Sequence, residues 1–142
     1  MSRLMQRFHI PSENAAQDNQ DVYIVTLDNE VKIYLIGSQP DYLNIMSPFL
    51  TLPEIETTPP HILLSMLSMN MWRVRHPVFT PGLDIVRKNA VLSCRQPLAE
   101  LSEAEAEKLV GSFINTVIHL KDWLQKELEK ERTQIRRGNQ HA

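Results

Sequence analysis

The hydrophobic pattern is densest in residues 59–72, PPHILLSMLSMNMW, where polar side chains leave no continuous wet face. The two opening prolines suit the first turn of a helix, because no backbone N–H is needed there. A helix that is apolar on all sides is normally buried on all sides, and this one is shorter than the ~20 residues that span a bilayer. We therefore predict a central helix packed between the protein's own sheet and a second surface, such as a second copy of the chain. The alternative is an ordinary core helix.

A second helical pattern begins at Ser102, which forms an S-x-x-E capping box with Glu105. Apolar side chains then recur every three or four residues, which predicts a helix over about 102–130 with one face against a sheet. That stripe consists of Leu109, Val110, Phe113, Val117, Leu120, Leu124 and Leu128, widened by Ile114, Ile118 and Trp123. Residues 131–142 are polar, and we expect them to form a frayed tail.

Strands are predicted by short runs rich in β-branched and aromatic residues. Residues 22–27 and 31–37 are expected to form a hairpin around Asp28-Asn29-Glu30, since Asp and Asn tolerate the backbone angles of a tight turn. A third strand is expected within 42–50. Pro48 favours either an edge position or an early end for this strand, because proline cannot donate a ladder hydrogen bond.

A second hairpin is predicted after the central helix, with strands at 78–86 and 90–98. Pro81-Gly82 in its first strand indicates a bulge or a break. At the other end of the chain, residues 1–21 are expected to form a short helix plus a polar loop. The order α-β-β-β-α-β-β-α predicts a single α+β domain over residues 1–142, with an antiparallel sheet of about five strands and three helices.

The overall composition narrows the class of protein. A formal net charge of −2 over 142 residues argues against a nucleic-acid binder. The single Cys94 cannot form an internal disulfide, which fits a reducing compartment. The sequence has no signal-peptide pattern and no apolar run of membrane-spanning length. We expect a cytoplasmic protein with neither a nucleic acid nor a membrane as partner.

Catalytic and cofactor motifs are absent from the sequence. None of the five histidines has metal-ligand spacing, and four glycines are too few for phosphate-binding loops. Cys94 with a distant histidine would form a nucleophile pair, but its place in a predicted strand favours a buried, inert thiol. We predict no enzymatic activity, no metal and no cofactor.

Apolar material without catalytic polar groups points to the binding of other polypeptides. Three of the six methionines, Met66, Met69 and Met71, lie in the central stretch, and flexible thioether side chains adapt to irregular partners. The first predicted strand is apolar on both faces, so one face is available for something that the chain itself does not supply.

The segments LLSMLSMNMW (63–72) and 77–124 resemble the class I type III secretion chaperones, the family of CesT and SycE. In that family the central helix ends in an L-x-x-N-like stretch, which Leu67 and Asn70 match. The link between the last hairpin and the final helix is matched by Gln96-Pro97-Leu98 followed by Leu101. The resemblance covers about residues 22–125.

The resemblance implies a homodimer that binds an extended, non-globular segment of a secreted effector and presents it to the export machinery and its ATPase. Such an effector adds strands to sheet edges and fills apolar grooves. The implied dimer-interface residues are Ile62, Met66, Met69, Trp72, Val78, Phe79 and Leu83. The implied effector-binding residues are Leu4, Phe8, Ile24, Val25 and Ile33. Two alternatives stay open: a dimeric adaptor of another bacterial assembly that binds a folded partner, and a small enzyme that uses Cys94.

Overall fold

A five-stranded antiparallel sheet organises the structure, a computed structural model that describes residues 22–27, 31–37, 41–71 and 78–140. The strand order is β1-β2-β3-β5-β4, so that β1 and β4 lie at the two edges. The strands are β1 (Val22–Thr26), β2 (Lys32–Ile36), β3 (Tyr42–Thr51), β4 (Phe79–Asp84) and β5 (Asn89–Pro97). The two described α-helices are α1 (Pro60–Ser68) and α2 (Glu103–Gln140).

The α+β class and the five-stranded antiparallel sheet are confirmed. The predicted first helix at 2–8, the tight turn at 28–30 and Trp72 lie outside the described residues. The two later helices are both present. The predicted hairpins are confirmed as well, because β1 pairs with β2 and β4 pairs with β5.

The prediction that β3 is an edge strand or a strand that ends early is wrong, since β3 runs from Tyr42 to Thr51. This strand lies in the middle of the sheet, between β2 and β5. The register of β3 on β5 shifts between Pro48 and Leu50, so that Phe49 has no partner while Pro48 lies opposite Val91. On the other side the pairing of β3 with β2 ends at Met46, so no ladder hydrogen bond to β2 is needed at position 48.

One face of the sheet, called the inner face here, packs against both described helices. Strict alternation places every second side chain of β2, β3 and β5 in the core. Phe79 of β4 meets Phe113 of α2 edge to face, with ring centroids 5.4 Å apart. The core joins the inner face to the helices through one cluster that includes Ile33, Leu35, Leu43, Ile45, Leu92, Ile62, Met66, Leu109, Val110, Phe113, Val117 and Leu124.

The start of α2 is fixed by the capping residue that the sequence indicates. The Glu105 N–H donates to the Ser102 hydroxyl at 3.2 Å, and the Ala106 N–H donates to the Ser102 carbonyl at 2.9 Å. A side-chain oxygen at this position satisfies a helix-terminal N–H group that has no partner within the helix.

The expected end of this helix near residue 130 is wrong, because α2 continues to Gln140. Residues 131–140 hold no proline and include three arginines and two glutamines, which are good helix formers. A Lys130–Glu127 ion pair of 3.3 Å stabilises the turn of the helix that leads into them. Glu131 also contacts His61 of α1 at 3.1 Å, a tertiary contact that the sequence pattern does not reveal.

The central helix is shorter than the apolar stretch that predicts it. Helix α1 ends at Ser68, and residues Met69–Met71 form a 3-10 turn. Pro60 occupies its first turn, as expected. Its Ile62 and Met66 are buried in the core, while Leu64 and Leu67 face away from it.

Candidate functional site

The side of the sheet opposite the core, called the outer face, carries a group of partly exposed apolar side chains on β1, β2 and β3. Antiparallel register places Ile24 opposite Tyr34, and Tyr34 opposite Met46. Val22 lies opposite Ile36 one step along. None of these five side chains is buried, and the buried side chains of both described helices belong to the core on the other side. The five residues therefore form a continuous apolar patch, called the sheet patch.

Polar residues border the sheet patch on the same face. Thr26 and Lys32 pair with each other at one end, and Asn44 pairs with Arg95 on the side towards β5. The Arg95 guanidinium lies over the Tyr42 ring, 4.1 Å from its centroid, so the arginine is held flat against the sheet by a cation–π contact. An apolar centre within a polar border is the usual composition of a protein-binding surface.

The sheet patch reaches a strand edge. Within the described residues β1 pairs with β2 alone and forms one end of the sheet. The outward N–H and C=O groups of an edge strand are a template on which another extended chain can pair. Backbone groups and apolar side chains are thus offered together at this edge.

The structure separates the predicted effector-binding residues. Ile24 lies in the sheet patch, but Val25 and Ile33 point to the inner face, where they pair with each other. Ile33 is fully buried at 0% exposure, and Val25 packs partly against the core. The assignment of Ile33 to a surface groove is therefore wrong, because the pleat places it in the core. Val25 lies on the same inner face but is only partly buried. Leu4 and Phe8 lie outside the described residues.

A second exposed apolar surface, called the helix–hairpin surface, involves α1 and the β4–β5 hairpin. Leu64 and Leu67 of α1 are 63% and 62% exposed. In the hairpin, Leu83, Ile85 and Val86 are exposed as well, and Val86 reaches 92%. The turn is held tightly, since the Arg87 N–H donates to Asp84 Oδ1 at 3.1 Å and the Lys88 carbonyl accepts from Leu52 N–H at 2.7 Å. The apolar side chains of Ile85 and Val86 are therefore presented on an ordered turn.

The structure also separates the residues of the predicted dimer interface. Ile62, Met66 and Phe79 are buried within the chain's own core, so they cannot form the surface that a partner meets. Leu83 is exposed, while Met69 and Val78 are partly buried. Trp72 lies outside the described residues. The sequence pattern does not identify Leu64 and Leu67, because both faces of α1 are apolar. It does not identify Ile85 and Val86 because they fall within the predicted strand 78–86, whereas β4 ends at Asp84.

Nothing in the described part of the chain resembles a catalytic or metal centre. No group of three or more His, Cys, Asp or Glu side chains is placed to hold a metal ion there. Burial raises the pKa of the Cys94 thiol to about 11, so the reactive thiolate is scarce at neutral pH. Among the described helices, none is sufficiently long and apolar to cross a bilayer.

Solved structures share this fold at low sequence identity. The type III secretion chaperone SycH of Yersinia pestis, solved with a fragment of YscM2, has a TM-score of 0.64 and 14% identity, over 84% of this chain and 94% of that one. A chain of the ExsC–ExsE complex has a TM-score of 0.67 and 16% identity, over 84% and 86%. The ExoT–SpcS complex of Pseudomonas aeruginosa gives 0.58 and 14%, over 83% and 90%. The fold is therefore that of type III secretion chaperones.

A family model fixes the relationship more closely than the fold does. Residues 2–121 match the model of the Tir chaperone protein (CesT) family. The chain belongs to the CesT family, as the sequence resemblance indicates. No curated protein matches the sequence in a direct comparison. Membership of a chaperone family, together with the buried thiol, removes the alternative of an enzyme that uses Cys94.

Proposed function

We propose that this protein is a type III secretion chaperone that acts in the bacterial cytoplasm. It binds an extended N-terminal segment of one or more effector proteins and keeps that segment soluble and competent for secretion. The observation that carries the proposal is the sheet patch beside the open edge of β1. An unfolded client needs both a backbone template and exposed apolar side chains, and this surface offers the two together.

The sheet patch can supply a useful part of the binding free energy. Complete burial of one large apolar side chain against water is worth roughly 1.5–3 kcal/mol, and Ile24, Tyr34 and Met46 each retain exposed surface. A strand added along β1 would pair its backbone with the outward groups of that edge. The ordering of a disordered segment costs part of this gain, so the client must fill several subsites at once.

The helix–hairpin surface supports a homodimer as the working form of the chaperone. This surface carries four highly exposed apolar side chains, namely Leu64 and Leu67 of α1 and Ile85 and Val86 of the hairpin. Exposed apolar groups that lie close together mark interaction sites. A second copy of the chain would cover them through a two-fold interface, in which the same patch serves both partners. Presentation of the client to the secretion ATPase would then fall to the dimer.

A co-expression experiment tests the proposal. The protein is produced together with effectors encoded beside its gene, and each complex is treated with protease. We expect a client segment that is digested when alone and protected when bound. The substitution Ile24→Glu should abolish this protection, because a carboxylate placed in the sheet patch must lose its water.

Thr80→Glu is the matched control, since Thr80 lies exposed on the same face but on β4, away from the sheet patch. It should leave client protection unchanged. Capture of a partner that is already folded and protease-resistant alone would favour the adaptor alternative. If Ile24→Glu leaves protection unaffected, the client binds at a surface other than the sheet patch and the β1 edge.

A further inference from the structure

The turn of the β4–β5 hairpin carries the most exposed large apolar side chain in the described part of the chain. This turn, residues 85–88, is called the hairpin tip, and all four of its residues are exposed. Ile85 is 67% and Val86 is 92% exposed, and the cations Arg87 and Lys88 follow directly. Exposed apolar side chains next to charged ones are typical of a surface that binds another protein.

The backbone of the hairpin tip is strained and held in place. Lys88 has a φ of 56°, in the left-handed region that residues other than glycine occupy uncommonly. Its carbonyl accepts from the Leu52 N–H at 2.7 Å, and its ammonium group donates to the Pro53 carbonyl at 3.4 Å. Strained backbone of this kind persists where the surroundings fix it, and it is concentrated at functional sites. The tip is therefore ordered before a partner arrives.

A groove of about 320 Å³ lies at the same end of the molecule, since Leu52 and Pro53, which hold Lys88, also line it. Its walls are the loop that joins β3 to α1 and the last turns of α2. The volume lies at the lower end of the range for ligand pockets, which suits one or two apolar side chains. The apolar part of its lining consists of Leu52, Pro53, Pro59, Leu128 and Ile135.

The hairpin tip and the groove have opposite charge. The tip carries two cations, those of Arg87 and Lys88. The groove carries two carboxylates against one guanidinium, namely Glu54 and Glu131 against Arg132. Complementary charge steers and orients the encounter of two surfaces, so the groove fits an apolar side chain that is followed by basic residues. The sequence Ile85-Val86-Arg87-Lys88 has this composition.

The tip does not fill the groove of its own chain. Val86 is 92% exposed and is not among the described residues that line the groove. Because the tip and the groove share one end of the molecule, a two-fold axis at that end would bring each tip to the other copy's groove. Such a contact is closed, because the same two elements serve both copies.

We propose that the hairpin tip of one copy inserts into the groove of a second copy, which returns the same contact. Val86 of one copy lies between Pro53, Pro59 and Ile135 of the other, with the two cations of the tip on the carboxylate side. Burial of the apolar side chains supplies the affinity, and the charges fix the orientation, because exposed ion pairs contribute little. The inference rests on the homodimer of the proposed function and specifies which parts of the two copies meet.

Disulfide trapping between two differently tagged copies is the test. In a Cys94→Ala background, one copy carries Val86→Cys and the other carries Ile135→Cys. The copies are mixed, oxidised with copper–phenanthroline and purified through both tags. Two cysteines form a disulfide only when their Cα atoms come within about 7 Å. We therefore expect a covalent heterodimer on a non-reducing gel.

Ile118→Cys in place of Ile135→Cys is the matched control for trapping. Ile118 is exposed on the same helix and does not line the groove. This pair should stay largely uncross-linked under the same oxidation. Circular dichroism checks that each variant is folded.

A charge reversal tests the groove without any cysteine. Glu54→Lys places a cation against the tip, and it should raise the Kd of the dimer about tenfold in sedimentation equilibrium. Glu56→Lys is the matched control, because Glu56 is exposed on the same loop but does not line the groove. It makes the same change in net charge and should leave the Kd within about twofold.

A dimer that forms no cross-link between positions 86 and 135, or that cross-links equally to position 118, would overturn the inference. Equal weakening by Glu54→Lys and Glu56→Lys would do the same, since it would reduce the effect to net charge. A protein that sediments as a monomer would remove both this contact and the homodimer. Client protection judges the chaperone function separately, so a protected client without the cross-link removes this inference alone.

Discussion

The two faces of the sheet have similar side chains and opposite roles. On β2, Ile33 and Leu35 are fully buried on the inner face, whereas Tyr34 and Ile36 on the outer face retain exposed surface. Helix α1 repeats the contrast, with Ile62 and Met66 inside and Leu64 and Leu67 outside. Hydrophobicity alone does not distinguish a core from a binding surface. The binding surface is distinguished by the polar residues around the sheet patch, such as Lys32, Asn44 and Arg95.

The largest difference should appear between the two faces of α1. In Met66→Glu, a carboxylate would enter a core site that is 5% exposed. Burial of an unpaired charge costs several kcal/mol, so we expect loss of the fold, seen by circular dichroism. Leu67→Glu changes a residue that is 62% exposed, and we expect a folded chain that does not form the proposed homodimer, measured by light scattering. A folded Met66→Glu variant would contradict the core assignment.

The second prediction makes the same comparison within β2. Ile33→Ala should destabilise the protein by roughly 2–5 kcal/mol, because it leaves a cavity in a fully buried site. Tyr34→Ala should cost less than about 1 kcal/mol in stability and instead weaken client protection. Urea unfolding at fixed protein concentration measures the first effect, and the protease assay measures the second. The two faces would lose their distinction if both variants behaved alike in both assays.

The sequence predicts the elements of this fold better than their orientation. The alternation in β2 and the capping box at Ser102 are local signals, and both hold in the structure. The inward face of α1 is not a local signal, because Ile62, Leu64, Met66 and Leu67 are almost equally apolar. Only the position of the helix over β4 and α2 decides which of them is buried.

The errors at β3 and α2 have a similar origin. Pro48 suggests an edge strand or an early end by its own chemistry, yet β3 pairs with β5 on both sides of it, and the pairing with β2 ends at Met46. The polar tail after Leu128 suggests fraying, yet a contact from His61 to Glu131 joins it to a helix about 70 residues earlier in the chain. Of the residues predicted for the two interfaces, Ile24 and Leu83 retain exposed surface. The burial of Ile33, Ile62, Met66 and Phe79 depends on packing that no short window of sequence contains.

The third prediction uses Cys94, which points inward between the outward-facing Ser93 and Arg95 on β5. Burial raises its pKa from 9.0 to about 11. The fold therefore favours the neutral thiol and is stabilised by it relative to the thiolate. This stabilisation is complete below pH 9 and is lost as the pH rises from 9 to 11, because the thiol of the unfolded chain ionises first. The complete loss in the free energy of unfolding is roughly 2–3 kcal/mol.

Urea unfolding at pH 8 and pH 10.5 measures this contribution. The unmodified protein should lose more stability between the two values than Cys94→Ala, in which no thiol ionises. Native Cys94 should also react slowly with a thiol reagent at pH 8 and quickly after unfolding. Equal pH dependence of the two proteins, or rapid labelling of the native one, would place the thiol in a more open environment.

The smallest effect belongs to the outer face, at the contact of Arg95 with Tyr42. An exposed cation–π pair contributes about 0.5–1 kcal/mol, so Arg95→Ala should lower the free energy of unfolding by that amount. Arg87→Ala, in the exposed β4–β5 turn, is the control and should change it by less. A double-mutant cycle with Tyr42→Leu separates the pair from other effects, because the coupling energy should equal most of the single loss. Zero coupling would mean that Arg95 borders the sheet patch without being held there, and its guanidinium would then be free to contact an acidic side chain of the client.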